Sequence, residues 1–176
     1  MTQDLRYPIG RFEPPAEIAS EDRGRYTREI ERLPAQMRAA VSGLDDGQLD
    51  TPYRPEGWTV RQVAHHVPDS HMNSYVRFRL ALTEDEPTIR PYFEDRWATL
   101  PDASRAPVAV SLDLLDALHR RWVLLLEGIE PDQWPRTFRH PERGLMTIEG
   151  NLALYAWHGR HHVAQITALR ERMGWR

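Results

Sequence analysis

Residues 147–174 read TIEGNLALYAWHGRHHVAQITALRERMG, and this stretch carries the clearest helical pattern in the chain. Its apolar positions recur at steps of three and four, which is the period of one face of an α-helix. The spacing predicts a helix from Thr147 to about Met173, and Gly174 is typical of the residue that ends such a helix. The predicted inner face consists of Ile148, Leu152, Tyr155, His162, Ile166, Leu169 and Met173.

Three further segments predict helices. The first covers residues 20–43, with Ser20 as its N-cap, and Pro34 predicts a kink or a break inside it. The second covers residues 59–82, where Thr59 opens a sequence of the capping-box form and Pro68 predicts a local distortion. The third covers residues 111–128, in which leucines and a tryptophan recur at helical steps.

The connections are long and rich in proline. Residues 84–110 are predicted to be a connection, and residues 131–146 a loop with a short hairpin around 141–144. Four amphipathic helices in 176 residues predict an all-α four-helix bundle that forms a single domain over residues 1–176. The connection at 84–110 is long enough for the second and third helices to run parallel.

Composition excludes several classes of protein. The 23 Lys and Arg residues are balanced by 26 Asp and Glu residues, so no basic surface for nucleic acid is predicted. No apolar stretch approaches the ~20 residues of a membrane span, and the first twenty residues lack the apolar core of a signal peptide. A cytoplasmic protein is therefore expected. Since cysteine is absent, any metal must be bound by His, Asp or Glu.

Six of the eight histidines fall in two stretches, HHVPDSH (65–71) and HGRHH (158–162). At about 100° per residue, His158 and His162 project side by side from the inner face of the fourth helix, whereas His161 lies on its flank. On the second helix His66 lies near the inner face. His65 points away, toward solvent or a partner, and His71 is a weaker candidate on the opposite flank.

The predicted metal ligands are thus His66, His158 and His162, which would hold one divalent transition metal. The alternative is that they are ordinary core or capping histidines. Because three buried neutral imidazoles without partners would be costly, the metal site is favoured.

Two polar side chains are placed to orient ligand imidazoles through their second ring nitrogens. Asp69 lies about one turn beyond the ligand of the second helix, and Gln165 lies three residues after the last ligand. Asp69 is also the candidate base; its alternative is a surface carboxylate paired with Arg61 or Arg77. Two neighbours are either substrate contacts or solvated residues, namely Asn73 and Arg160.

The run GWTVRQVAHHVPDSHMNSYVRFRLALTEDEPTIRPY (57–92) closely resembles the YfiT-type metal-dependent hydrolases of the DinB-like superfamily, and the resemblance extends over nearly the whole chain. Trp58 and His66 match the family motif W-x7-H. His158, His162 and Gln165 match the motif H-x3-H-x2-Q.

This resemblance implies a dimeric four-helix bundle in which the three matching histidines bind nickel or zinc. The chain departs from the family pattern at Pro68, where the family more often has a small helix former. It also departs at Gly159 and Arg160, where bulkier or polar residues are common in the family.

Three histidine ligands leave a coordination position open for water or substrate, which favours hydrolysis of a small molecule. In this hypothesis activated water is the nucleophile, and Asp69 or a neighbouring histidine assists proton transfer. One alternative is a metal-dependent S-transferase that uses low-molecular-weight thiols; another is a metal-binding protein without catalysis. Imidazole ligands suit Zn, Ni, Cu or Fe, of which zinc or nickel is expected.

Overall fold

The structure is a computed structural model that describes residues 4–175. Four long helices form the bundle, and three single-turn helices and a two-stranded hairpin lie in the connections. In chain order the elements are α1 (Ser20–Val41), α2 (Asp46–Leu49), α3 (Val60–Thr83), α4 (Glu94–Trp97), α5 (Pro101–Ser104), α6 (Val108–Glu127), β1 (Thr137–His140), β2 (Gly144–Thr147) and α7 (Ile148–Met173). The predicted all-α four-helix bundle with a short hairpin is confirmed.

The helix ends follow the local chemistry of the sequence. Thr59 caps α3 through the predicted capping box, and Gly174 ends α7 at a φ of 66°, which is the left-handed conformation that glycine adopts without strain. Some boundaries differ from the prediction. Ala19, rather than Ser20, occupies the N-cap of α1, and α6 begins at Val108 directly after Pro107.

Neither internal proline ends its helix. α1 continues through Pro34, and α3 continues through Pro68, so the predicted break in α1 does not occur. A proline within a helix removes one intrahelical hydrogen bond, and packing on both sides holds these helices together, since both prolines are buried. Because Pro34 has no N–H, the backbone carbonyl of Ile30 is free to bond elsewhere, and it contacts a histidine of the candidate site.

The four long helices form two parallel pairs. α3 runs parallel to α6, as the long connection predicted, and α1 runs parallel to α7. In each pair, the contacts advance in the same direction along both helices. Between α3 and α6 they run from His65 with Ser111 to His71 with His119. Between α1 and α7 they run from Arg23 with Glu149 to Ala40 with Arg170. Helices of different pairs are antiparallel, so α3 and α7 face each other in opposite directions.

Two apolar clusters fill the bundle. One contains Leu33, Val63, Leu115 and Ile166; the other contains Ile30, Phe78, Trp122 and Leu152. A layer of histidines completes the interior: His66, His71, His119 and His162 are buried, and His158 is half-buried. Among the described residues, no helix combines the length and apolarity that crossing a bilayer requires.

Close packing of α1 on α7 depends on Gly159. A Cβ atom at this position would lie 2.4 Å from Cδ2 and 2.9 Å from Cδ1 of Leu33, and Leu33 is itself only 2% exposed. Since the Leu33 side chain is enclosed by the core, it has little room to move away. Gly159 therefore sets the distance between α1 and the turn of α7 that carries two of the predicted ligands.

In Gly159→Ala the added methyl group should overpack the core at a cost of about 1–3 kcal/mol. The ~1 kcal/mol gain in helix propensity from replacing glycine offsets part of this cost, so we expect the free energy of unfolding to fall by up to about 2 kcal/mol. Urea denaturation followed by circular dichroism measures the free energy of unfolding of the parent and of the variant. Gly24→Ala in α1 is the matched control, since its Cβ would meet only Arg28 Nη1 at 3.4 Å. Equal stability of the two variants would contradict the prediction.

Candidate metal centre

The three predicted ligands meet between α3 and α7. His66 projects from α3, while His158 and His162 project from successive turns of α7, and each offers a ring nitrogen within 4.8 Å of the other two. His158 Nε2 lies 3.2 Å from His162 Nε2 and 3.4 Å from His66 Nε2. His66 and His162 are buried, each with 7% exposure, and His158 is half-buried.

A chain of hydrogen bonds connects His158 to the opposite side of the bundle. His71 Nε2 lies 3.1 Å from His158 Nδ1, and His71 Nδ1 lies 3.0 Å from His119 Nε2. His119 Nδ1 lies 2.5 Å from the backbone carbonyl of Ile30. That carbonyl is available because Pro34, four residues later, has no N–H to donate to it.

This chain determines which nitrogen of each ring carries the proton. A carbonyl oxygen only accepts, so His119 must donate from Nδ1, and its Nε2 is then an acceptor in the neutral ring. His71 must therefore donate from Nδ1 and accept at Nε2, which requires His158 to donate from Nδ1. The lone pair of His158 Nε2 consequently faces the other two predicted ligands.

Gln165 fixes the proton of His162 in a similar way. Its amide nitrogen donates to the backbone carbonyl of Arg6 at 3.2 Å and to His161 Nε2 at 2.9 Å. Its oxygen therefore faces His162 Nδ1, at 2.9 Å, and accepts the proton there. The lone pair of His162 is left on Nε2, so the predicted orienting role of Gln165 agrees with the geometry.

These tautomers fit a bound cation. The facing Nε2 atoms of His158 and His162 both present lone pairs, and no proton lies between them to relieve their repulsion. Ligand nitrogens about 2.0–2.1 Å from a tetrahedral zinc ion are roughly 3.3–3.4 Å apart, close to the 3.2 and 3.4 Å separations found here. A set of neutral imidazoles also suits the later first-row transition metals.

Burial keeps the rings neutral and ready to coordinate. It lowers the pKa of His66 to about 4 and that of His119 to about 4. Burial, with the neighbouring imidazoles, lowers the pKa of His158 and that of His71 well below the usual value for histidine. Because the unprotonated ring is the metal ligand, the site is set to bind near neutral pH.

The structure corrects the placement of His65. It was expected to face solvent or a partner, but it is only 3% exposed. Its Nδ1 lies 2.7 Å from Ser111 Oγ, and its Nε2 lies 3.1 Å from the carbonyl oxygen of Ala106. The connection before α6 covers this side of α3, which an ideal-helix projection cannot reveal.

Asp69 does not belong to the group of metal-ligating side chains that the structure brings together. It does not line the cavity that opens beside the three histidines. Within residues 4–175 its carboxylate has no hydrogen bond to a predicted ligand. Burial, with the nearby charge of Asp102, raises its pKa to about 6. The alternative pairing also fails, since Arg61 binds Asp46 and Asp50 instead. Two other candidates lie elsewhere: Asn73 donates to the backbone of Asp69, and Arg160 pairs with Glu29.

A cavity of about 300 Å³ opens beside the three histidines. Ser70, Tyr92 and Tyr155 line it, together with Arg77 from α3 and His140 from β1. The backbone N–H of Glu142 donates to His140 Nδ1, so the neutral ring carries its proton on Nε2. The hairpin thus forms one wall of the site.

His119, His140, Tyr155 and Ser70 also belong to this site, although the sequence pattern did not predict them as parts of it. His119 had no partner at metal-ligand spacing, because its contacts come from α1 and α3. One signal was present: His119 occurs among the apolar residues of the third predicted helix and precedes Trp122 by three positions. His71, the weaker candidate ligand, is instead a hydrogen-bond partner of a ligand.

Proteins of known sequence resemble this chain over almost its full length. A Bacillus mycoides protein named "Putative metal-dependent hydrolase" is 57% identical over 173 residues, covering 98% of this chain and 99% of that protein. A Bacillus cereus protein with the same description is 57% identical over 172 residues, with the same coverage.

Solved structures show the same architecture. YfiT from Bacillus subtilis, described as "a probable metal-dependent hydrolase with an unusual four-helix bundle topology", is 49% identical, with a TM-score of 0.96 over 98% of this chain and 99% of that one. TT2238, a four-helix bundle protein at 23% identity, has a TM-score of 0.58 over 83% of this chain and 98% of its own, and shares the fold. The family model of the DinB superfamily matches residues 29–166, and the chain belongs to that superfamily.

Proposed function

We propose that this protein is a metal-dependent hydrolase of a small molecule, with His66, His158 and His162 as the ligands of one divalent cation. The observation that carries the proposal is the convergence of three imidazole nitrogens at the wall of a cavity. Structural zinc sites usually have four protein ligands, whereas catalytic sites have three and an open position. The names of the Bacillus relatives support the same activity.

The chain itself supplies binding and proton donors around this position. A bound cation would supply Lewis acidity and lower the pKa of a water molecule to about 7. Tyr92 stays protonated because burial raises its pKa, so its hydroxyl can donate to a substrate oxygen. The neutral imidazole of His140, which lines the cavity, carries its ring proton on Nε2, because Nδ1 accepts from the backbone of Glu142. His140 replaces Asp69 as the candidate proton carrier.

Protein purified without a histidine tag should contain one transition-metal ion per chain and hydrolyse small esters or amides in a metal-dependent way. His158→Ala should lose both properties, because two ligands hold the ion far more weakly than three. Elemental analysis and a substrate screen, run with and without low-molecular-weight thiols, measure this. His65→Gln, which alters a buried histidine outside the site, is the control.

Stoichiometric metal in His158→Ala would refute the site. Consumption of an electrophile only when a thiol is present would favour the S-transferase, and metal binding with no turnover would favour a non-catalytic protein. The choice between zinc and nickel, the homodimer and the cytoplasmic location stay predictions.

His119→Phe should weaken metal binding about 10- to 100-fold, as expected when a partner that orients a ligand is lost. Without the His119 acceptor, His71 no longer requires His158 to carry its proton on Nδ1. Nitrogen-15 NMR of the metal-free protein should show a mixture of His158 tautomers, where the parent shows one. His119→Gln should restore part of the affinity, since an amide can both donate and accept. An unchanged His158 tautomer in His119→Phe would contradict the relay.

The metal-free protein should lose stability as the pH falls from about 6.5 to about 4. Histidines in the unfolded chain take up protons near pH 6.5, while the pKa values of His66 and His119 are about 4 in the folded state. Each such ring therefore destabilises the fold by up to about 1.4 kcal/mol per pH unit within this window and has no effect above it. Urea denaturation of EDTA-treated protein at several pH values tests this. A free energy of unfolding that is constant between pH 7 and 5 would contradict it.

A further inference from the structure

Arg77 is a buried cation that has no anionic partner among the described residues. It is 8% exposed, and its guanidinium makes one hydrogen bond, from Nη1 to the hydroxyl of Tyr155 at 3.5 Å. None of the ion pairs formed within residues 4–175 includes it. Burying a guanidinium without a counter-ion is costly, so an uncompensated one indicates a missing anion.

Arg61 is a second buried arginine on the same helix, and its role is structural. Arg61 is 5% exposed, and it binds Asp50 at 2.6 Å and Asp46 at 2.8 Å. Both arginines lie on α3 with similar burial, yet only Arg77 lines the cavity beside the three histidines. Its counter-ion is therefore expected to come from whatever occupies that cavity.

Short contacts link Arg77 to the candidate metal centre. Tyr155 Oη, which accepts from Arg77, lies 3.3 Å from Ser70 Oγ, and Ser70 Oγ lies 3.4 Å from His158 Nε2. The guanidinium is thus at most three hydrogen-bond lengths from the nitrogen that faces the proposed cation. One small molecule can reach both positions.

The inner wall of the cavity is electropositive. Burial, with the charges of Arg77 and Arg143, lowers the pKa of His140 against the smaller and opposite effect of Glu142, so the two cations outweigh the carboxylate at this wall. The two carboxylates that line the cavity, on Glu94 and Glu142, belong to exposed residues at its edge. They pair with no basic side chain within residues 4–175, and neither compensates Arg77.

We propose that Arg77 binds a carboxylate group of the substrate while the bond to be hydrolysed lies at the three-histidine site. This inference rests on the proposed function and narrows its substrate to small monoanions that carry a carboxylate. The planar guanidinium matches a carboxylate with two parallel hydrogen bonds. A single buried cation balances a single negative charge, which favours a carboxylate over a doubly charged phosphate.

The first experiment is independent of the metal. Propionate is titrated into EDTA-treated protein while the Nε–Hε resonance of Arg77, identified by its loss in Arg77→Lys, is followed by NMR. A saturable shift with propionate and none with the isosteric propionamide is expected. The absence of a shift would overturn the proposal, whatever the metal content of the protein.

The second experiment tests whether the anion lies next to the metal. Zinc-loaded protein is titrated calorimetrically with succinate monohydroxamate and with butyrohydroxamate, which share a metal-binding group and differ in the terminal carboxylate. The carboxylate probe should bind roughly 10- to 100-fold more tightly, the usual range for a charge-assisted pair. Arg77→Gln should abolish this preference and leave butyrohydroxamate binding within about twofold of the parent.

Arg143→Gln is the matched control, because it removes the same charge from an exposed position at the same cavity. It should reduce the preference by less than about threefold, as expected for a screened charge. A preference that survives Arg77→Gln, or is lost equally in Arg143→Gln, would overturn the assignment to Arg77. If propionate shifts the Arg77 resonance but neither hydroxamate binds, the metal function fails while the anion site stands.

Discussion

The backbone carbonyl of Ile30 is the acceptor on which the proton arrangement of the site depends. Pro34 withholds the N–H that would normally bond to this carbonyl, and His119 Nδ1 donates to it instead. Because each following imidazole can donate only once when neutral, this one acceptor orders the protons of His119, His71 and His158. A proline in α1 thus determines which nitrogen α7 presents to the cavity on the other side of the bundle.

A polar layer of this kind is costly in a helical core, since an imidazole without partners destabilises the folded state. Here His71 and His119 have a hydrogen-bond partner at each ring nitrogen. The lone pairs of His158 Nε2 and His162 Nε2 face each other, with no proton between them. A cation between them would bind both. The stability of the fold and the affinity for a metal are therefore coupled, because the packing that fixes the tautomers also holds the two lone pairs facing each other.

Helical periodicity was sufficient to predict the four long helices and to bring His66, His158 and His162 together, because these depend on local spacing. It could not predict that His65 is buried, since the covering connection comes from residues distant in sequence. It also missed His119, whose role depends on the parallel pairing of α3 and α6 and on the missing N–H of Pro34. Properties that arise where three helices meet are absent from the periodicity of any one of them.

The two buried arginines of α3 show that helical periodicity is also limited in what it predicts about function. In sequence Arg61 and Arg77 are equivalent, and either was a plausible partner for Asp69. Tertiary structure gives Arg61 two carboxylates from the segment around α2. In the part of the chain that the structure describes, the one hydrogen-bond partner of the Arg77 guanidinium is a tyrosine hydroxyl. A cation left unpaired beside neutral metal-binding imidazoles adds no stability that would explain its burial. The free energy that burial of this cation costs is recovered when an anion binds in the cavity, so substrate recognition is the physical reason that we assign to its burial.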